Sequence, residues 1–311
     1  MARLKAVVFD WAGTMIDFGS RAPMGVFVRA FAEFGIEISV AEARGPMGMA
    51  KRDHIAQLLA QPRIATAWTL RHGRPPEDAD IDAIYAVFIP MNVAVVADFA
   101  DLIPGAAATV AYARDRGLRI GSTTGYTREI MAPVLPVAAA AGYRPDNLVC
   151  AGDLAEGRPG PLMMFRTMAD LGVHPPAAIV KVDDTPPGIG EGLAAGTWTV
   201  GVTASGNEVG LSLAEWSALD PAARRAATAR AGEVLTRAGA HYLIDTVADL
   251  PPVLEAISWF FPLRHAAAAM SQAVGPDVTG SGLALDHLAV LVAWTFAGAV
   301  VVALRFGRDV P

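Results

Sequence analysis

The stretch VVFDWAGTMID at residues 7–17 places an acid and a glycine-containing turn directly after a short apolar run. The run from Lys5 to Phe9 has the length and composition of a buried parallel strand, which puts Asp10 at the carboxyl end of that strand. Ligands of open α/β sheets bind outside the carboxyl ends of the strands. There, Asp10 can serve as a nucleophile, as a metal ligand, or as the N-cap of the following helix.

The same strand signal recurs along the chain. Helical patterns such as Ala106–Arg116 and Pro161–Leu171 separate the strand-like runs, which predicts a Rossmann-like, doubly wound parallel sheet of the α/β class. The six runs are Ala6–Phe9, Arg119–Ser122, Leu148–Ala151, Ile179–Val182, Thr197–Val202 and His241–Ile244.

A long segment between the first two strands has helical periodicity throughout. Its apolar positions recur at helical spacing, so we expect an all-helical cap domain inserted into the core. The helical patterns are Val26–Phe34, His54–Leu59, Ile64–Leu70 and Ile81–Val96. The predicted division is core at 1–18, helical cap at 19–97, core at 98–257 and an extra hydrophobic, helical C-terminal tail at 258–311. A further helical excursion is expected over Ser205–Ala227.

The tail contains an uncharged run at residues 288–304. Its 17 residues reach the lower limit for a membrane-spanning helix. We therefore consider membrane contact through this helix. A helix that is buried or covers a dimer interface, and a fusion remnant, are the alternatives.

Composition limits the classes of partner. The net charge of −6 and the lack of long basic runs give no reason to expect nucleic-acid binding. The single cysteine, Cys150, cannot form an internal disulfide and suits a reducing compartment. No signal peptide precedes the first strand, so we expect a cytoplasmic catalytic domain.

The segment around Asp10 resembles the first motif of the haloacid dehalogenase superfamily, Asp-x-Asp-x-Thr, but Ala12 replaces its second acid. In the superfamily's phosphatases this acid protonates the leaving alcohol, and Ala12 cannot donate a proton. Either the protein is inactive, or its leaving group needs no acid.

The second possibility fits the phosphonoacetaldehyde hydrolase (phosphonatase) branch, which the chain resembles over residues 4–255. This resemblance implies hydrolysis of the C–P bond of phosphonoacetaldehyde, a Mg²⁺ cofactor and a homodimer formed through the cap. The matching stretches are FDWAGT at 9–14, EARGPMGMAKRDH at 42–54, IGSTTGYTRE at 120–129, GRP at 157–159 and IVKVDDT at 179–185.

The loss of an acid at Ala12 and the presence of Lys51 explain each other. A carbanion is a poor leaving group, but a lysine that forms a Schiff base with the aldehyde provides an electron sink, and the departing group is then an enamine. The resemblance implies that Lys51 is this lysine and that His54 assists proton transfer. The two lie three residues apart, on one face if the segment is helical. A solvated lysine and a core histidine are the alternatives.

The resemblance also implies the residues that handle the phosphoryl group. Asp10 would attack phosphorus and form an aspartyl-phosphate, while Thr124 and Arg158 hold phosphoryl oxygens. Taken alone, Arg158 is equally explained as a surface cation. Four further residues are expected to bind the substrate or cofactor: Gly13, Thr14, Met47 and Tyr126.

The Mg²⁺ ligands implied by the resemblance are Asp10, the backbone carbonyl of Ala12, and Asp184. The fourth motif departs from the usual Gly-Asp-Thr-x-x-Asp, because Asp183 replaces its glycine and Gly188 its second acid. Either Asp183 takes over as a ligand, or Mg²⁺ binding is weakened.

The prolines that follow, at 186 and 187, are expected to restrict a loop.

Two functional alternatives remain: another phosphatase or phosphomutase of the superfamily, or a weakened phosphate-binding protein tethered to the membrane.

Overall fold

The computed structural model of the protein describes residues 4–259 and 288–296. Six parallel strands form one sheet in the order β3-β2-β1-β4-β5-β6. The strands are β1 (Ala6–Phe9), β2 (Arg119–Thr124), β3 (Val149–Cys150), β4 (Ile179–Asp183), β5 (Trp198–Val202) and β6 (Tyr242–Ile244). Each coincides with a predicted run, so the doubly wound α/β fold is confirmed.

Helices cover the sheet and fill the segment between β1 and β2. That segment contains α1 (Ala22–Ala32), α2 (Val40–Arg44), α3 (Lys51–Ala60), α4 (Pro62–His72) and α5 (Asp78–Val96). After β2 follow α6 (Ala106–Asp115), α7 (Arg128–Ala140), α8 (Leu162–Leu171), α9 (Pro186–Ala194), α10 (Leu213–Ala218), α11 (Pro221–Arg237) and α12 (Leu250–Trp259).

The four helical patterns predicted between β1 and β2 all correspond to helices, and α2 is an additional one. Its five residues are too few for a periodicity signal. A capping box starts it instead: the Ser39 side chain accepts a hydrogen bond from the Glu42 backbone N–H, and the Glu42 carboxylate accepts one from the Ser39 N–H.

The centre of the sheet is apolar because β1 lies between β2 and β4 and is buried on both faces. On one face, Ala6 and Val8 belong to a cluster that includes Met164 of α8 and Ile179 of β4. This packing sets the carboxyl ends of the three central strands side by side.

Two sequence expectations were wrong. Pro186 and Pro187 do not restrict a loop but open α9, where a proline's missing N–H costs no helical hydrogen bond. Thr185 caps this helix by accepting a hydrogen bond from Gly188 N at 3.3 Å. The excursion expected from Ser205 begins as a loop, and helix starts only at Leu213, after Ser212 has formed a capping box.

One helix in the described residues, Asp78–Phe99, is long and apolar enough to cross a membrane by length and composition alone. It contacts α1, α3 and α7. The span predicted at 288–304 is described only in part. Residues 288–296 are helical, and 297–304 lie outside the described residues.

Candidate active site

The carboxyl ends of β1, β2 and β4 bring the predicted acids together. Asp10 follows β1, Thr124 ends β2, Asp183 ends β4 and Asp184 follows it. All four side chains are buried. Carboxylate oxygens of the three aspartates lie within 4.8 Å of one another, which is compatible with a bound metal ion.

The turn after β1 is shaped around Asp184. Gly13 has φ +83°, and a Cβ there would lie 2.2 Å from Asp184 Oδ2. A glycine is therefore required for the turn to pass the carboxylate. The next residue, Thr14, donates its hydroxyl to Asp184 Oδ1 at 3.2 Å.

The aspartates repel each other in a buried setting. Burial, and next the neighbouring carboxylate of Asp183, raise the pKa of Asp10 to about 6, although Arg158 opposes the shift. Burial and the charges of Asp10 and Asp183 raise the pKa of Asp184 well above its usual value. A cation at this position would relieve the repulsion, and carboxylate oxygens suit a hard divalent ion.

Arg158 is buried and holds the candidate nucleophile. Its Nη1 lies 2.8 Å from Asp10 Oδ1, its Nη2 donates to the carbonyl of Thr123 at 2.7 Å, and its Nε donates to Glu191 at 3.0 Å. The surface-cation alternative for Arg158 is therefore wrong.

Three side chains that surround Arg158 were not identified from the sequence: Thr123, Lys181 and Glu191. Lys181 donates to Thr123 Oγ1 at 2.7 Å and lies 3.1 Å from Glu191 and 3.0 Å from Asp183. Lys181 and Glu191 are fully buried. A lysine inside a strand that is apolar on both sides needs a buried partner, and that signal could have directed attention to Lys181.

The carboxylate of Asp183 packs directly against Gly188. A Cβ at Gly188 would lie 1.9 Å from Asp183 Oδ2, so the Asp183 carboxylate occupies the volume that a side chain at 188 would need. Burial opposes the charge of Asp183, but Arg158 and Lys181 outweigh it and lower its pKa. Asp183 is thus an ionised carboxylate beside the position where the motif acid is missing.

Lys51 begins α3 and faces the same site from the inserted helices. Only 2% of it is exposed, and no carboxylate of the described residues lies within 4.0 Å of its Nζ. The Nζ lies 5.1 Å from the ring centroid of Tyr126, 5.7 Å from that of Phe27 and 3.8 Å from Met47 Sδ. Burial lowers the pKa of Lys51 to about 8. The solvated-lysine alternative is wrong.

His54 lies one turn further along α3. Its ring lies against that of Phe27, with centroids 4.0 Å apart and the planes tilted by 31°, and its Nε2 lies 2.7 Å from the carbonyl oxygen of Ala43. That contact assigns the proton to Nε2 and leaves Nδ1 as a free acceptor, which has no partner among the described residues. Burial, followed by the charge of Lys51, keeps the pKa of His54 well below its usual value. These contacts suit both a proton acceptor and a core histidine.

A small cavity lies between the carboxyl ends of the strands and the inserted helices. Its volume is ≈ 20 Å³, room for about one water molecule, so a larger substrate requires the inserted helices or their loop to shift. The Thr124 hydroxyl, on its wall, accepts the Tyr126 N–H at 3.1 Å. Predicted residues that line the cavity are Asp10, Ala12, Met47, Lys51, Thr124, Tyr126 and Arg158.

The comparisons with known proteins agree with this arrangement. The sequence-family model of the haloacid dehalogenase-like hydrolases matches residues 4–196. The chain is 56% identical over 257 residues to a phosphonoacetaldehyde hydrolase of Paraburkholderia xenovorans, covering 82% of this chain and 95% of that protein. It belongs to the phosphonoacetaldehyde hydrolase family.

Two further similar proteins extend the comparison. The chain is 47% identical to the phosphonoacetaldehyde hydrolase of Hahella chejuensis, over 89% of this chain and 91% of that one. A crystal structure of a phosphonoacetaldehyde hydrolase-like protein from Oleispira antarctica superposes with a TM-score of 0.81 at 44% identity, covering 82% and 92% of the two chains.

Proposed function

We propose that the protein hydrolyses the C–P bond of phosphonoacetaldehyde to acetaldehyde and phosphate. The observation that carries the proposal is the pairing of a buried lysine and a buried aspartate on one cavity: Lys51 and Asp10 both line it, and Ala12 between them offers no acid. The relatives that bear the name of this activity support it.

The reaction would begin at Lys51. Its neutral amine attacks the aldehyde carbon, water leaves, and a protonated imine forms. Because Lys51 is buried without a carboxylate partner, its free-amine form is more populated near neutral pH than that of an exposed lysine. His54 would assist proton transfer during this step through its Nδ1, which has no hydrogen-bond partner among the described residues.

The C–P bond would break next. Asp10 attacks phosphorus while the electron pair of the C–P bond moves into the iminium, which yields an aspartyl-phosphate and an enamine on Lys51. Protonation of the enamine carbon and hydrolysis of the resulting imine release acetaldehyde, and water cleaves the aspartyl-phosphate. No alkoxide leaves, so an acid at position 12 has no task.

The remaining core residues would hold the phosphoryl oxygens. Arg158 already contacts Asp10 and can reach the oxygens of a group bound to it, and the hydroxyl of Thr124 faces the same cavity. The backbone N–H groups of Gly13 and Thr14 donate instead to the carbonyls of Ile16 and Trp11, at 2.8 and 3.2 Å, so they are not free to hold these oxygens.

We further propose that Mg²⁺ is the cofactor. Asp10, Asp184 and the carbonyl of Ala12 would hold it, with Asp183 in place of the acid missing at Gly188. The ion would neutralise the carboxylates and the substrate's phosphonate oxygens. A direct test is the effect of Mg²⁺ on thermal unfolding: the ion should raise the melting temperature of the native protein but not of Asp184→Asn.

Two copies are also proposed to pair through the inserted helices. Only 33% of the most apolar stretch of Asp78–Phe99 is buried within one chain, so an apolar helix surface is available to a second copy. Sedimentation at several concentrations should give the mass of two chains, and a monomer at all concentrations would contradict the pairing.

Borohydride trapping with phosphonoacetaldehyde, followed by peptide mass mapping, tests the central step. The chain contains three lysines, Lys5, Lys51 and Lys181, so the assignment is unambiguous. We expect a reduced adduct on Lys51 that Lys51→Arg removes. The matched control Lys5→Arg changes an exposed lysine bound to the His174 carbonyl and should leave the adduct intact. A folded protein that gives no adduct, or one on Lys5 alone, would overturn the proposal.

A further inference from the structure

The loop that follows β5 connects the inserted helices to the carboxylate cluster. We propose that Arg44, at the end of α2, holds Asn207 in the position from which the Asn207 backbone fixes the carboxylate of Asp184. Arg44 and Asn207 are then positioning residues for the metal site. This inference rests on the proposed function in one respect, the assignment of Asp184 as a Mg²⁺ ligand.

Arg44 uses its guanidinium as a clamp on this loop. Its Nη1 donates to the carbonyl of Gly19 at 3.0 Å and to both the carbonyl and Oδ1 of Asn207 at 3.1 and 3.2 Å. Its Nη2 donates to the carbonyl of Gly210 at 3.0 Å. The planar fork of arginine can satisfy these acceptors together, whereas the single ammonium of lysine cannot.

Asn207 carries the contact onward to Asp184. Its backbone N–H donates to Asp184 Oδ2 at 2.8 Å, while its Nδ2 donates back to the Arg44 carbonyl at 3.4 Å. Thr14 binds the other oxygen of the same carboxylate. Asp184 is therefore oriented from two sides, by the turn after the nucleophile and by the loop that Arg44 clamps.

The same loop also touches the nucleophile turn and its connection to α1. The Gly19 N–H donates to the carbonyl of Ser205 at 2.7 Å, and the Ser205 hydroxyl donates to the carbonyl of Gly13 at 2.8 Å. Any movement of α2 that opens the cavity would withdraw Arg44 and loosen these contacts. Closure and metal affinity are then coupled, and the coupling is reciprocal by thermodynamic linkage.

Calorimetric titration of the full chain with Mg²⁺ alone tests the inference. Partners that orient ligands typically alter metal affinity by about 10- to 100-fold, so we expect Arg44→Lys to weaken Mg²⁺ binding by about tenfold. The matched control is Arg74→Lys. Arg74 forms an ion pair with both carboxylate oxygens of Asp80, at 2.6 and 2.7 Å, and it does not contact the carboxylate cluster. This control should bind Mg²⁺ within about twofold of the native protein.

A second measurement separates closure from simple loss of a ligand. Inorganic phosphate should tighten Mg²⁺ binding in the native protein, and this enhancement should shrink in Arg44→Lys. Asn207→Ala keeps the backbone N–H and removes the Oδ1 acceptor and the Nδ2 donor but not the contact of Arg44 with the Asn207 carbonyl, so its Mg²⁺ affinity should fall between the native protein and Arg44→Lys. It decides the question if Arg44→Lys does not fold.

The outcomes distinguish this inference from the proposed function. If the native protein binds Mg²⁺ and forms the Lys51 adduct, but Arg44→Lys and Asn207→Ala bind Mg²⁺ as tightly as Arg74→Lys, the positioning role is wrong and the function stands. If the native protein forms no adduct, the function fails. A weakened Mg²⁺ affinity in Arg44→Lys would support the positioning role even then.

Discussion

The two sides of the cavity control charge in opposite ways. On the core side, Asp10 and Asp183 are buried among cations, with Arg158 and Lys181 within 2.8–3.4 Å of their oxygens. On the opposite side, Lys51 is buried against rings and a thioether, with no carboxylate of the described residues in ion-pair range. On the core side the cations outweigh desolvation at Asp183 and offset part of it at Asp10, whereas desolvation of Lys51 lowers its pKa with no ion pair to offset it.

This difference suits a reaction that needs an ionised acid and a neutral amine at the same pH. The pKa of Asp10, although raised to about 6, leaves its carboxylate largely ionised at pH 7, and the pKa of Lys51, lowered to about 8, increases the fraction of free amine at that pH. Titratable groups whose environments shift them in opposite directions identify the roles in acid–base and nucleophilic chemistry.

The strongest way to break the comparison is to make the amine permanently charged. Lys51→Arg introduces a guanidinium, which stays protonated, so no imine can form. We expect hydrolysis of phosphonoacetaldehyde to fall by at least about 10⁴-fold, since removing one member of a catalytic set costs about 10⁴- to 10⁶-fold. Steady-state rates of phosphate release measure it, with Lys5→Arg as the control. Residual activity within tenfold of native would show that the amine has no covalent role.

The core side can be tested through stability. Glu191→Gln removes a buried negative charge that faces Lys181 and Arg158. Breaking a buried ion pair costs about 3–5 kcal/mol, so the free energy of unfolding should drop by about 3 kcal/mol in urea titrations. Asp170→Asn, which disrupts an exposed pair with Arg166, should change it by less than about 1 kcal/mol. If both variants lose the same free energy of unfolding, Glu191 does not offset the buried charges of Lys181 and Arg158.

A carboxylate introduced near the Lys51 amine sharpens the comparison. Ala12→Asp places an acid on the cavity wall shared with Lys51, which should raise the pKa of Lys51. A nearby opposite charge shifts a pKa enough to reduce the free amine at pH 7 by about 10- to 100-fold. Rates of borohydride trapping at pH 7 measure this reduction. Ala12→Asn is the uncharged control of similar size; if it slows trapping as much, the effect is steric.

The mildest test leaves the sequence unchanged and varies the pH. Because the attacking form is the free amine and burial lowers the Lys51 pKa to about 8, the initial rate of trapping should rise about tenfold from pH 6 to pH 7. It should level off above pH 8. A rise that continues without change to pH 10 would indicate an ordinary, solvated lysine.

Much of the fold could be predicted because its signals are local. The central strand β1 is buried on both faces, so it is recognisable as a short apolar run, and Asp10 stands where this run ends. The start of α9 is harder to predict, because prolines are common both in loops and in the first turn of a helix. The hydrogen bond that Thr185 accepts from Gly188 N shows that Pro186 and Pro187 belong to a helix.

The sequence by itself determined the α/β class and the order of the strands along the chain, because buried strands appear as local apolar runs. Its resemblance to a known family indicated the candidate pair of Asp10 and Lys51. Tertiary structure decided which buried charges meet. Lys181 with Thr123, and Asn207 with Asp184, are contacts between different parts of the fold. Periodicity reports that a side chain is buried, but the partner that satisfies its charge depends on how the strands and loops pack in space.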